Sequence, residues 1–169
     1  MTPEQFQAVF PQFMAWIAAI LNAHAGQAQP VAVKGFPRLP HYFSRELLGS
    51  ARVVVVERVP MPPLTALGLN QFAEFEHADN SGVTYLDTYF VKRDRAHDES
   101  LHFHELIHVL QWRTLGPEGF LAAYAAGLEA FGYRDSPLEV MAYDAEAAFS
   151  QAAAIFDAEQ LVADQLRHA

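Results

Sequence analysis

Residues 101 to 111, Leu101-His102-Phe103-His104-Glu105-Leu106-Ile107-His108-Val109-Leu110-Gln111, contain two histidines four apart with a glutamate after the first. On a helix, His104 and His108 lie one above the other on a single face, where two imidazole nitrogens can hold one metal ion. Glu105 sits about 100° around the same helix. From there its carboxylate can reach a water on the metal without taking a coordination position, as the base of a metal hydrolase must. With this content of His and Glu the pattern arises by chance on the order of 0.03 times, so coincidence is a weak account of it. The competing account is an amphipathic helix whose two histidines are hydrogen-bonded within the core.

The flanking residues supply the helix that this chemistry needs. Phe103, Leu106, Ile107 and Leu110 recur at core-helix spacing, and Asp98, Glu99 and Ser100 suit an N-cap and first turn. A catalytic zinc requires a third protein ligand and an open position for water. The only histidine after His108 is His168, near the end of the chain, which turns attention to carboxylates: Glu118, Glu129, Glu139, Asp144 and Glu146 are the candidates. Glu139 stands out as a solitary acid opening an otherwise apolar helix, although an acid there also suits the helix dipole. Spacing alone leaves these open.

Composition narrows the remaining classes. The chain of 169 residues is 51% hydrophobic and 18% charged, the profile of one globular domain over residues 1 to 169. A net charge of -9 argues against nucleic acid or an anionic membrane as the main partner. No cysteine is present, so a metal site must be built from histidine and carboxylate. The N-terminus lacks the basic region followed by an apolar run of a signal peptide, and no apolar run is expected to approach a membrane span. The default expectation is a cytoplasmic protein, with a non-classical export route left open.

Along the chain, Thr2-Pro3 opens a helix in which Phe6, Val9, Phe10, Phe13, Ile17, Ile20 and Leu21 recur at helical spacing. Pro11 should kink or split it, and Gly26 closes it near His24. Packing on the core is the favoured use of its apolar face, a membrane or partner surface the alternative. Arg52 to Arg58, with four consecutive valines, reads as a strand inside a sheet. Gln71 to Glu76 is a further strand candidate, and residues 83 to 91 read as one strand after the Ala78-Asp79-Asn80-Ser81-Gly82 turn. His77 and His97 read as exposed loop residues. From Asp98 onward the pattern is helical: one helix to Gly116-Pro117, a second to about Phe131 and Gly132, and a third from Ser136-Pro137 through Ala145, Phe149, Ala153 and Phe156 towards Leu166. Strands early and helices late predict an α+β domain: a helical N-terminus, a mostly antiparallel sheet and a C-terminal layer of helices.

Three segments together resemble a known family. The Gly82-Val83-Thr84-Tyr85 strand, the His104-Glu105-x-x-His108 helix continuing Val109-Leu110-Gln111, and the later Ser136-Pro137-Leu138-Glu139-Val140-Met141-Ala142 are similar to the compact bacterial metallopeptidase-like domains of the gluzincin clan, including the minigluzincins and those associated with injection systems. The resemblance covers roughly residues 82 to 146. It implies a zincin-like fold, with zinc held by His104, His108 and Glu139 and with Glu105 as general base. One position departs from the pattern. Gluzincins often carry an aspartate four residues after the glutamate ligand, hydrogen-bonded to a zinc histidine; here that residue is Tyr143, with Asp144 next to it. Either Tyr143 turns its hydroxyl into the site or the ring is oriented from elsewhere.

The expected function is therefore a zinc-dependent peptidase acting on a peptide or protein, with Glu105 and Tyr143 as catalytic candidates. Tyr133 and Arg134 are further candidates for orienting substrate, weighed against core or surface roles. The extended substrate is expected to pair with an exposed edge strand within residues 83 to 91. The rival class is a zinc-stabilised interaction module with the same ligands and no catalysis, and a third possibility is a metal-free helical domain.

Overall fold

The computed structural model describes residues 1–151 and 154–167, and the sequence expectations at Ala153 and His168 lie outside them. The fold is α+β: an N-terminal helix, a small four-stranded mixed sheet, and helices thereafter. Helix α1 (Pro3–His24) starts at a capping box in which Thr2 and Gln5 satisfy each other's backbone N–H groups. Pro11 neither splits nor ends it. Pro11 and Gln7 are exposed, so the carbonyl that the proline leaves unpaired faces water. Ile17 is fully buried, and Phe13, Trp16 and Ile20 pack beside it on Val54, Tyr85 and Phe90. By length and composition α1 is also apolar enough to cross a membrane, with mean hydropathy 1.3 over an 18-residue window, which corrects the expectation that no run comes near that length.

Strands β1 (Gln29–Pro30), β2 (Arg52–Val56), β3 (Gly82–Tyr85) and β4 (Thr88–Lys92) form a sheet in the order β1-β2-β4-β3. Helix α2 (Arg45–Ser50), capped by Ser44, leads into β2. As the valine run predicts, β2 is an interior strand, between β1 and β4. The stretch from 83 to 91 is two strands rather than one. Leu86, at φ 57°, and Asp87 turn the chain, and β3 folds back antiparallel on β4. Two of the three pairings are antiparallel, but the five-residue central pairing of β2 with β4 is parallel. The link between residues 57 and 81 carries the chain past the position of β4 to β3, and β3 returns it to the end at which β2 began, so that β4 runs parallel to β2.

That link contains a further correction. Residues 71 to 76 are not a strand: Asn70–Phe72 is a 3₁₀ turn and Ala73–Glu76 a short helix, α3. Phe72 and Phe75 stand three apart, a spacing that serves one side of a helix, and both pack in a cluster with Leu64 and Leu69. Glu76 clips the turn to the preceding loop by accepting from Thr65 N at 2.7 Å and Thr65 Oγ1 at 3.1 Å.

Helix α4 (Glu99–Phe131) is two arms joined at Gly116, whose φ of 70° breaks the helical backbone just before Pro117. The first arm runs through the middle of the molecule. Phe103, Leu106 and Ile107 are fully buried, with Tyr42, Tyr89 and Phe149 in the same core. The anticipated third helix is two: α5 (Pro137–Ser150) and α6 (Ala158–Arg167). Asp157 starts the second by accepting from Gln160 N–H at 3.0 Å, an N-cap bond that lets the chain return and bury Ala158 and Val162.

Asp98 caps α4 by accepting from Ser100 N and Leu101 N. Burial pushes its carboxyl pKa up, but Arg95 and Ser100 outweigh that and hold it below the ordinary carboxylate value. A depressed folded pKa means that this stabilisation is complete above the unfolded value and is lost as pH falls through the folded one. Asp98→Ala should therefore destabilise the protein by about 1 kcal/mol at neutral pH, with the difference from wild type shrinking towards acid. Urea unfolding at pH 7 and near pH 3 checks this, and a difference that grew on acidification would contradict it.

Candidate metal centre

The first arm of α4 carries three polar side chains into the core at 3–5% exposure: His104, Glu105 and His108. The four-residue spacing brings the two histidine Nε2 atoms to 3.1 Å. Ser136 and Pro137 start α5, and its first turn delivers Glu139, 1% exposed, against both rings. Glu139 Oε1 lies 3.3 Å from His108 Nε2, and Oε2 lies 3.5 Å from His104 Nε2. One ligand atom from each of the three residues falls within 4.8 Å of the others. Of the carboxylates the sequence left open, Glu118, Glu129 and Asp144 are exposed, and Glu139 alone completes this cluster.

The outer faces of the rings are held as well. His108 Nδ1 meets Gln111 Oε1 at 2.8 Å, and Gln111 donates from Nε2 to the carbonyl of Leu138 at 2.9 Å. One buried amide thus orients a histidine and ties α4 to the residue before Glu139. His104 Nδ1 meets Glu146 Oε2 at 3.1 Å. With Nδ1–H donated outward on both rings, the Nε2 lone pairs are left for the centre. Tyr124 donates its hydroxyl to Glu139 Oε1 at 2.6 Å.

Glu139 Oε2 is buried and receives no hydrogen bond. A desolvated carboxylate oxygen facing two imidazole nitrogens is a costly arrangement unless a cation or a proton sits among them. Two nitrogens and one carboxylate with oriented outer shells are the donor set of a borderline metal such as zinc, so these residues fit a metal ion. Without metal, burial would depress the pKa of His104, but Glu139 and Glu146 beside it outweigh burial and raise it to about 10. The contact acts in reverse on Glu139, where burial pushes the carboxyl up and the facing histidines pull it well below its usual range. A metal would enter the place that this proton otherwise fills.

Glu105 stands next to the triad without belonging to it. Thr84 of β3 donates to its Oε2 at 2.6 Å, and burial, the largest influence, raises its pKa. Gly82 makes room for it: a Cβ there would fall 2.2 Å from Glu105 Oε1. Two depressions flank the triad. A polar cleft of about 290 Å³ reaches His104, Glu105, Tyr133, Tyr143 and Glu146, and a mostly apolar cavity of about 60 Å³ reaches Glu105, His108 and Glu139.

Tyr143 does not supply the missing orienting bond. Its half-buried ring lies 4.7 Å from the His104 ring, with the Arg134 guanidinium carbon 4.8 Å from its own centroid, and Glu146 on the next turn orients His104 instead. Tyr133 borders both depressions. His77 and His97 are exposed and outside the site, as expected. His102 also points inward but is bound to Tyr89 and the Ala96 carbonyl, which makes it a core histidine. Sequence reasoning missed Thr84, Tyr124 and Gln111 as supports, although Gln111 stood within the quoted motif.

No family model matches the chain, and comparison with curated proteins and with solved structures found no match.

Loss of the outer partner of a ligating histidine typically weakens metal binding 10- to 100-fold. Glu146→Ala is expected to weaken Zn²⁺ binding by about that factor, while Asp144→Ala, two positions away and exposed, leaves it unchanged. Competition against a chromophoric chelator measures both, and equal affinities would remove Glu146 from the site.

Proposed function

We propose that this chain is a zinc metallopeptidase of the gluzincin type, with His104, His108 and Glu139 holding the metal and Glu105 acting as general base. The observation that carries the reading is Glu105: a buried carboxylate beside the triad, bound to Thr84 at 2.6 Å, that borders both depressions. A purely structural metal site has no use for a second buried acid held next to the ligands. A bound zinc supplies Lewis acidity, which makes a water acidic near neutral pH and polarises a carbonyl.

The chain's own residues supply the rest. Glu105 takes the proton of the attacking water and delivers it to the amine nitrogen as the peptide bond breaks. Its raised pKa suits a group that must both accept and return a proton. Thr84 holds the carboxylate in place, and Gly82 keeps clear the volume it occupies. Strand β3 is the sheet's edge beside this carboxylate, so an extended peptide can pair with its backbone and lie across the site. Tyr133 and Tyr143 border the polar cleft and are the candidates for contacting the substrate carbonyl.

The near-complete burial of the triad favours the second reading, a zinc-stabilised interaction module. Zinc content and hydrolysis of a broad peptide library separate the two. About one equivalent of zinc, retained in Glu105→Gln and lost in His104→Ala, is expected with hydrolysis abolished in both. Equal silence of wild type and Glu105→Gln with zinc retained would favour the module, and zinc below half an equivalent in wild type would sink both readings.

Gly82→Ala is a sharper probe of the base. The added methyl must displace Glu105, and misplacement by about 1 Å costs on the order of 100-fold in rate. A fall in kcat of that size with unchanged zinc content is expected, whereas full activity would show that the position of Glu105 is immaterial.

A further inference from the structure

Helix α1 is largely apolar all round, yet this fold buries little of it. From Gln5 to Ala23 it carries no charged side chain, and its outward face shows Ala8, Ala15, Ala18 and Ala19 beside glutamines. Only Ile17 is buried; Phe6, Phe10, Phe13, Met14, Trp16 and Leu21 are half-buried. A helix apolar all round normally ends in a protein core or a membrane, and the core here takes one side chain of it. The fit beneath it is also loose. A cavity of about 70 Å³ lies between Phe6, Val9 and Phe10 of the helix and Leu69, Phe72 and Phe75 of the body. Among the described residues, the polar ties from this end of the chain to the body are Gln7 Nε2 donating to Glu118 Oε1 at 2.7 Å and the Met1 ammonium on Glu129. Surface contacts of this kind hold weakly.

We infer that α1 is an exchangeable helix, docked on the body in water and inserted into the bilayer where an anionic membrane is present. The inference does not depend on the metal centre. The length suits this partner: 22 residues span about 33 Å, against a hydrocarbon core of about 30 Å. The composition suits it too, since the helix takes no charge into the hydrocarbon and an internal proline such as Pro11 is tolerated there. A side chain already buried gains nothing by the transfer, whereas each half-buried one leaves water completely. The net charge of -9 conceals matching electrostatics. Of the acids only Glu4 precedes Glu46, so residues 5 to 45 hold Lys34, Arg38 and Arg45 and no acidic side chain. Arg38 is engaged over the Phe149 ring, which leaves Lys34 and Arg45 to meet anionic headgroups where the chain emerges from the helix. Nothing covalent or local holds α1 down. Its own Thr2–Gln5 box caps it, and the chain leaves it through a turn at residues 25–27. Phe13 also walls the small cavity beside His108 and Glu139, so departure of the helix opens that cavity to water.

Tryptophan fluorescence reports the transfer directly, because Trp16 rides on α1 while Trp112 is buried on α4. The full chain is mixed with vesicles of phosphatidylcholine containing about one quarter phosphatidylglycerol, with and without bromine on the acyl chains, and then floated. Flotation with the vesicles and quenching by the brominated chains are expected, and Trp16→Phe should float equally but lose the quenching. The chain has no cysteine, so Gln7→Cys combined with Glu118→Cys can be joined by a short bismaleimide that pins α1 to the body. The pinned protein should neither float nor be quenched, with an unchanged circular dichroism spectrum showing that it is folded. The same double variant left unjoined should do both. Lys34→Glu with Arg45→Glu should weaken the partition about 10-fold or more. Four results would each overturn the inference: no flotation, flotation that persists in the pinned protein, quenching that survives Trp16→Phe, or a partition unchanged by the charge reversals. A stable dimer in place of flotation would assign the face of α1 to a second copy of the chain and overturn it as well.

Discussion

Glu139 Oε2 is shut away from water with no donor, 3.5 Å from one histidine nitrogen, and much of the molecule is arranged around that carboxylate. A buried anion of this kind is tolerated only with positive charge beside it. The protein supplies it as a proton on His104 when no metal is bound, and the proposed zinc would supply it otherwise. Either way the three residues form one electrostatic unit. The supports from Tyr124, Gln111 and Glu146 fix where its atoms lie.

This unit explains why the helices meet as they do. The first arm of α4 offers its histidines from one face, and α5 must bring its first turn close enough for Glu139 to reach both. Gly116 allows the chain to leave the first arm abruptly, and the second arm contributes Phe120 and Tyr124 above the site. Gln111 then locks the α4–α5 junction from inside, using its carbonyl on His108 and its amide on the backbone of Leu138. Packing and ligand orientation are the same contacts here, so the hydrophobic core sets the geometry of the metal centre.

The sheet's contribution is confined to its edge. Strand β3 is short, but it places Thr84 on Glu105, Gly82 against the same carboxylate, and an unpaired strand edge beside the clefts. Helix α1 closes the opposite side through Phe13. The N-terminal residues thereby build the apolar side of the site, while the polar side chains come from the segments between 82 and 146. Polar cleft and apolar cavity meet at Glu105.

The sequence by itself determined the helix of His104, Glu105 and His108, because a four-residue spacing within an apolar period has one geometric meaning. It also pointed to Glu139, an acid in an apolar first turn, and to the breaks at Gly116 and Gly132, where local backbone preference decides the outcome. Residues 71 to 76 and 83 to 91 were misread because the spacing of Phe72 and Phe75 suits a short helix, and a run of β-formers does not mark its own turn. The identity of the orienting group was likewise beyond local rules. Glu146 rather than Tyr143 reaches His104, since which turn of α5 faces that ring depends on how two helices cross. The parallel pairing of β2 with β4, the placing of Thr84 on Glu105 and the cavity beneath α1 were decided only in the tertiary structure. Each joins residues distant in sequence, and no spacing within a single element can encode such a contact.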